Sequence, residues 1–138
     1  MVFFSFTKHS FIPPFKFSQD DYTGIRATPD YAKAIVRPDW EFFHKNYKIQ
    51  LSIALLAVVA MWVGGDYLKG QTSDWVVIVF YIVFLVDFAK CLDYGLSAYS
   101  LWEVIRKKKK FYGVVKRIAD GADTYDEFVE RFNNRNRL

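Results

Sequence analysis

Ile49-Gln-Leu-Ser-Ile-Ala-Leu-Leu-Ala-Val-Val-Ala-Met-Trp-Val-Gly-Gly65 carries no charged side chain, and neither does Trp75-Val-Val-Ile-Val-Phe-Tyr-Ile-Val-Phe-Leu-Val86. Between them lies the polar segment Asp66-Tyr-Leu-Lys-Gly-Gln-Thr-Ser-Asp74, and past the second stretch comes the basic run Arg106-Lys-Lys-Lys-Lys110. A helix needs about 20 apolar residues to cross the hydrocarbon core of a bilayer. The first stretch reaches that length over residues 46–66. The second does so over 75–100, because apolar character resumes around Asp87, Lys90 and Asp93. The reading is an all-α protein built on a membrane-spanning two-helix hairpin over 46–105. An extended N-terminal arm with short helices precedes it over 1–45. A basic juxtamembrane segment and a short amphipathic C-terminal helix follow it over 106–138. In a chain of 138 residues this leaves little for a catalytic domain.

Charge is unevenly placed. Residues 1–48 hold seven basic and five acidic groups, residues 49–100 two and four, and residues 101–138 ten and six. Both tails are therefore basic. By the positive-inside rule they face the cytoplasm-equivalent compartment, which in a mitochondrion is the matrix, and Asp66–Asp74 faces the opposite side. Phe, Tyr and Trp make up 20% of the chain, more than a soluble two-helix protein can bury within itself. These rings are expected to meet lipid, the membrane interface or other proteins. The single Cys91 excludes an internal disulfide and a thiolate metal cluster. Residues 1–19 contain no arginine and are interrupted by Pro13-Pro14, which fits neither a transit peptide nor a signal peptide, so an uncleaved N-terminus is expected.

Residues 1–27 are expected to be irregular, an arm whose phenylalanines at 3, 4, 6, 11, 15 and 17 fill pockets on neighbours. Two helix starts follow, Thr28-Pro29-Asp30 and Arg37-Pro38-Asp39. Trp40, Phe43 and Tyr47 form an amphipathic stripe suited to the interface. Ala57, Ala60 and Gly64 give the first span a face of small side chains on which another helix can pack closely, and Gly64-Gly65 is expected to end the helix. The second span opens at Trp75 with Ser73 or Asp74 as cap. Carried to residue 105 it measures about 46 Å, so it must tilt or project beyond the bilayer. Helix is expected to continue over Phe111–Ala119, to break at Asp120-Gly-Ala-Asp123, and to restart at the capping box Thr124-Tyr-Asp-Glu127.

Three groups of residues are candidates for function. Asp87, Lys90 and Asp93 are ionisable groups within an apolar segment, where such groups are costly. Lys90 is three residues from each acid, so this set either pairs, within the helix and with a cation on a neighbouring subunit, or lines a proton or ion path. Arg106, Lys107, Lys108, Lys109 and Lys110, joined by Lys116 and Arg117, form a polybasic cluster suited to anionic lipid, which in an inner mitochondrial membrane is cardiolipin, or to fixing topology. The third group is the small-residue face. The only histidines, His9 and His44, precede the first span, so a bis-histidine haem carried by this chain is excluded. No phosphate loop, Cys/His cluster or nucleophile–base pair is present, and no cofactor, nucleic acid or small-molecule substrate is expected.

The tail Thr124-Tyr-Asp-Glu-Phe-Val-Glu-Arg-Phe132, together with the two apolar spans and the basic, aromatic-rich arms, is similar to supernumerary subunits of mitochondrial respiratory complexes. The likeness is greatest to the two-helix accessory subunit of the complex I membrane arm. Accessory subunits of cytochrome oxidase and of mitochondrial ATP synthase share the architecture. The resemblance implies a non-catalytic clamping role beside core membrane subunits in the mitochondrial inner membrane, with both termini in the matrix. A free-standing assembly or membrane-shaping factor is the remaining alternative.

Overall fold

The computed structural model describes residues 7–135. Every regular element among them is helical: α1 (Gln19–Ala27), α2 (Tyr31–Phe43), a π-helical turn (His44–Lys48), α3 (Ile49–Leu68), α4 (Asp74–Gly121) and α5 (Tyr125–Asn134). The arm phenylalanines Phe3, Phe4 and Phe6 lie outside the described residues. The chain forms two compact units. One comprises Met1–His9 with Glu41–Trp102, the other Ser10–Trp40 with Glu103–Leu138.

The first unit is dominated by α3 and the N-terminal part of α4, both long and apolar enough to cross a membrane. In the most apolar stretch of each, only 6% of residues are buried. That sets them apart from the core helix of a soluble protein, which is covered by its own chain. Ile53, Leu56, Trp62, Ile82 and Leu85 all stand exposed. The two helices touch beside the turn that joins them. A Cβ built on Gly64 would lie 3.7 Å from Phe80 Cζ, and one on Gly65 3.1 Å from Phe80 Cε1. The rings of Trp62 and Phe84 meet edge to face at 6.4 Å. Gly64-Gly65 therefore does not end α3: it is a seat for the Phe80 ring. The helix runs on to Leu68, and the stop is Gly70, whose φ of +85° lies in the left-handed region that glycine adopts without a steric penalty.

The second unit has an aromatic core. Tyr22 and Ile25 from α1, Val115 and Ala119 from α4, Ala122 beyond it, and Phe128 and Phe132 from α5 are buried together. Phe17 closes the core, its ring edge-on to Phe132 at 5.0 Å and to Phe128 at 5.9 Å. Each fully buried side chain of this size contributes about 1.5–3 kcal/mol. Tyrosine hydroxyls tie distant segments together: Tyr22 donates to the Ala122 carbonyl at 2.7 Å and Tyr125 to that of Phe17 at 2.6 Å. Phe11 also stays within the chain, edge-on to Phe111 at 5.8 Å, whereas Phe15 is exposed. Part of the arm thus fills pockets of its own molecule.

Residues 1–27 are not irregular throughout. Ser18 caps α1 with a reciprocal box: its hydroxyl accepts from the Asp21 N–H at 3.1 Å, and the Asp21 carboxylate accepts from the Ser18 N–H at 2.7 Å. The Ser18 N–H, and then the Ser18 hydroxyl, which also donates to the carboxylate at 2.8 Å, hold the Asp21 carboxyl below its usual range. Thr28 does not cap α2 but closes α1, its N–H and hydroxyl both donating to the Gly24 carbonyl. The α2 start falls at Tyr31, with the Asp30 carbonyl accepting from Ala34 at 2.9 Å. Arg37-Pro38 is not a second start, since Pro38 sits inside α2. Its ring forfeits a hydrogen bond to the Ala34 carbonyl, a loss set against the burial of Val36 on the same helix. As expected, the helix of the second span continues past the basic run, and it ends at Gly121, inside the expected break. At α5, Thr124 accepts from the Glu127 N–H, while the Glu127 carboxylate accepts from Asp123 rather than from Thr124 itself.

Candidate functional site

One cluster of polar contacts in the first unit joins the N-terminal arm to α4 and to the π-helical turn. The extended residues Thr7 and His9 lie along α4, where the Thr7 N–H donates to Ser97 Oγ at 3.2 Å and the His9 N–H to Ser100 Oγ at 2.7 Å. The Ser100 hydroxyl donates back to the His9 carbonyl at 3.3 Å. His9 Nε2 lies 2.9 Å from the Tyr47 hydroxyl, which brings the arm to the π-helical turn. Two serines spaced i, i+3 on α4 thus satisfy backbone N–H groups of a segment some 90 positions away. Ser97 is only 4% exposed.

Beside these contacts lies a cavity of 270 Å³ lined by Thr7, Tyr47, Lys90, Asp93, Tyr94 and Ser97. The structure therefore brings Lys90 and Asp93 to a common wall. Asp87 sits one turn earlier on α4, and its Oδ2 is buried with no hydrogen-bond partner. No ion pair joins Asp87 to Lys90 among the described residues, although their spacing allows one. Lys90 extends outward, while Asp87 and the buried Cys91 lie on the covered side of the helix.

The basic run divides by use. Lys108 Nζ lies 2.9 Å from Asp39 Oδ2, both side chains mostly buried. Lys107 pairs with Glu103 one turn back at 2.8 Å, near the surface. Lys116 caps α1 from outside: its ammonium donates to the Ile25 and Arg26 carbonyls at 2.9 and 3.1 Å and to Asp120 at 2.8 Å. These carbonyls are at the C-terminal end of α1, where the helix dipole favours a cation. Arg106, Lys109, Lys110 and Arg117 remain exposed. At 100° per residue these four share one side of α4, so the outward basic surface is narrower than the sequence run and shifted toward Arg117.

Of the small-residue face, Gly64 packs on Phe80, Ala57 is half-buried and Ala60 is exposed. Gly65, absent from that set, is the buried member. At the turn, the Tyr81 hydroxyl and then the Asp66 carboxylate hold the Lys69 ammonium above its usual range. No group of three or more His, Cys, Asp or Glu side chains able to hold a metal ion occurs among the described residues. No family model, curated protein or solved structure matches the chain.

Proposed function

We propose that this chain is a two-helix membrane protein serving as a non-catalytic accessory subunit of a mitochondrial inner-membrane respiratory complex, in first place the membrane arm of complex I. The observation that carries the membrane assignment is the apolar surface of α3 and α4 that the chain leaves uncovered. Each large apolar side chain kept in water forgoes about 1.5–3 kcal/mol relative to an apolar medium. Lipid and neighbouring membrane helices are the surroundings that recover it.

The second unit supports a hairpin topology. The segment before α3 and the segment after the apolar part of α4 share one core, tied by the Tyr22–Ala122 hydrogen bond. Both flanks therefore belong on one side of the bilayer, and the stretch between them crosses twice, as a hairpin. The positive-inside rule makes that side the matrix. In this arrangement the second unit braces matrix-side surfaces of core subunits, and Arg106, Lys109, Lys110 and Arg117 meet anionic headgroups such as cardiolipin. The accessory role itself rests on the resemblance of the tail and architecture. Accessory subunits of ATP synthase or cytochrome oxidase are the neighbouring alternatives.

The orphaned Asp87 Oδ2 favours a second reading, in which Asp87, Lys90 and Asp93 take part in proton or ion movement. Mild-detergent extraction from the native membrane, native-gel separation and mass spectrometry of the band test the first reading. Co-migration with redox core subunits supports it, co-migration with ATP synthase subunits reassigns the complex, and migration as a small oligomer refutes the accessory role. Asp87→Asn separates the two readings. A purely structural role lowers the abundance of the complex at constant turnover, whereas an ion path lowers proton movement at constant abundance.

A further inference from the structure

We propose that Ile12-Pro13-Pro14-Phe15 is a rigid apolar hook that docks into a groove on a neighbouring protein, a groove lined by aromatic side chains with an acid at its edge. The inference deepens the accessory-subunit reading above, from which it takes the presence of a neighbour. Among the described residues no helix forms before Gln19. Proline fixes φ at about −65° at positions 13 and 14, and a following proline holds Ile12 and Pro13 in extended backbone. These are the preferences of polyproline II, which has three residues per turn and a rise of about 3.1 Å. Burial follows the same period: Phe11, Pro14 and Phe17 are half-buried, whereas Ile12, Pro13, Phe15 and Lys16 are exposed. Ile12 and Phe15 therefore share the outer face, about 9 Å apart along the chain. The chain bends at Phe15, which sets that ring at the corner. At 78% and 83%, Ile12 and Phe15 are more exposed than any large apolar side chain of α3 or α4.

Both ends of the hook are fastened. Phe11 meets Phe111 and Tyr112, with ring centroids 5.8 and 6.2 Å apart. Phe17 enters the aromatic core, and its carbonyl accepts from Tyr125. The residues between are thus ordered before any partner arrives, which lowers the entropy lost on binding. Their backbone selects a protein over lipid. No backbone group of residues 12–16 makes a hydrogen bond among the described residues. Extended backbone with open carbonyls does not enter hydrocarbon, where nothing satisfies it. Aromatic-lined grooves accept polyproline II segments, and ring N–H and O–H groups can donate to their carbonyls. Lys16 is exposed and makes no ion pair among the described residues, so it favours an acid at the edge of the groove. Between the hook and α5 lies a cavity of 180 Å³ bordered by Phe15, Lys16, Val129 and Asn133, which gives one apolar side chain of the partner a place in return.

The test is photocrosslinking of the full chain in its native membrane, with benzoylphenylalanine in place of Phe15. Peptide mapping of the adduct should find one site on one neighbouring protein, with aromatic residues and an acid in the crosslinked segment. Adducts to lipid or to a second copy of this chain, or no protein adduct at all, overturn the proposal. Variants co-expressed with tagged wild type then give relative incorporation, read as their ratio in the native-gel band against that in the whole membrane. Phe15→Ala should be outcompeted about tenfold or more, the loss for truncating an interface anchor. Pro13→Ala combined with Pro14→Ala keeps Ile12 and Phe15 but frees the chain, and should be outcompeted about fivefold. Lys16→Glu should lose a fewfold. Phe15→Ala should leave the Tm of the isolated chain in detergent unchanged, since the ring lies outside the core. Incorporation of Phe15→Ala equal to wild type overturns the hook even where an adduct forms. A chain that co-migrates with the complex but crosslinks to lipid sinks this proposal and leaves the accessory reading standing. A chain that crosslinks to such a groove but migrates outside any respiratory or ATP synthase complex sinks the accessory reading and keeps the hook.

Discussion

Lys108 and Lys109 are adjacent in sequence and opposite in role, and replacing each by methionine separates structure from lipid contact. Lys108 Nζ lies 2.9 Å from Asp39 Oδ2, with side chains 24% and 29% exposed. At an effective dielectric constant near 20 the direct attraction is about 6 kcal/mol, and removing both charges from water cancels most of it. A half-buried, charge-assisted hydrogen bond of this kind retains about 1–2 kcal/mol. In a folded unit of this size, that corresponds to a fall of roughly 5–10 °C in Tm. Lys109 is exposed and makes no hydrogen bond among the described residues, so Lys109→Met should stay within about 0.5 kcal/mol of wild type. On vesicles containing anionic lipid the order reverses. Lys109→Met should lose on the order of 1 kcal/mol, about fivefold in partitioning, and Lys108→Met nothing beyond its stability defect. Differential scanning calorimetry and vesicle flotation on the same preparations read both quantities. Equal Tm shifts for the two variants, or equal losses of vesicle binding, would refute the division of the basic run.

Three further outcomes are expected. Phe128→Ala should destabilise the second unit by about 3–5 kcal/mol in chemical denaturation, because Phe128 is fully buried between Phe17, Tyr22 and Phe132. Gly64→Ala should be neutral in detergent, while Gly65→Val should lower thermal stability by about 1–3 kcal/mol, since the first Cβ clears Phe80 and the second crowds it. Acid should loosen the second unit at both cap sites. Asp21 and Glu127 have folded pKa values depressed below 3.8 and 4.5, by bonds from Ser18 and from the Asp123 N–H respectively. Their contribution is therefore complete above those values and lost as pH falls through the lower folded ones. Circular dichroism titrated downward from pH 5 should show unfolding shifted to higher pH in Ser18→Ala, and an unchanged profile would contradict the capping argument.

The sequence carried its strongest signal where a single physical demand acts over many residues. The uncharged runs 49–65 and 75–86 marked α3 and α4 because apolar composition over that length is hard to reconcile with a loop. Thr124-Tyr-Asp-Glu127 marked α5 because a cap is a local device. Ser18-Gln-Asp-Asp21 carried the same kind of signal for α1 but was masked by the prolines and phenylalanines before it. Pro38 misled because a proline one turn before aromatic residues reads equally as a helix start or as a tolerated interior residue. The cavity was not legible at all. Thr7, Tyr47 and Ser97 come together from three separate segments, and nothing local to any of them encodes the meeting. Likewise, a run of five consecutive cations gives no indication of which one faces Asp39.

The hydrogen bond from Tyr22 to the Ala122 carbonyl joins residues separated by 100 positions, and the core around it is divided the same way between the two ends of the chain. This imposes an order of events during synthesis. At roughly 5–20 residues per second, Tyr22 and Ile25 leave the ribosome about 5–20 s before Val115, Ala119 and Phe128 are available to cover them. Through that interval the only apolar segments complete enough to find their final surroundings are the two between. Phe128 and Phe132 of α5, translated after both apolar helices, then act as a latch, closing over Tyr22 and Ile25, which have waited uncovered. A chain cut anywhere before Ala122 leaves Phe17, Tyr22 and Ile25 open to quality-control factors that recognise bare aromatic and aliphatic side chains.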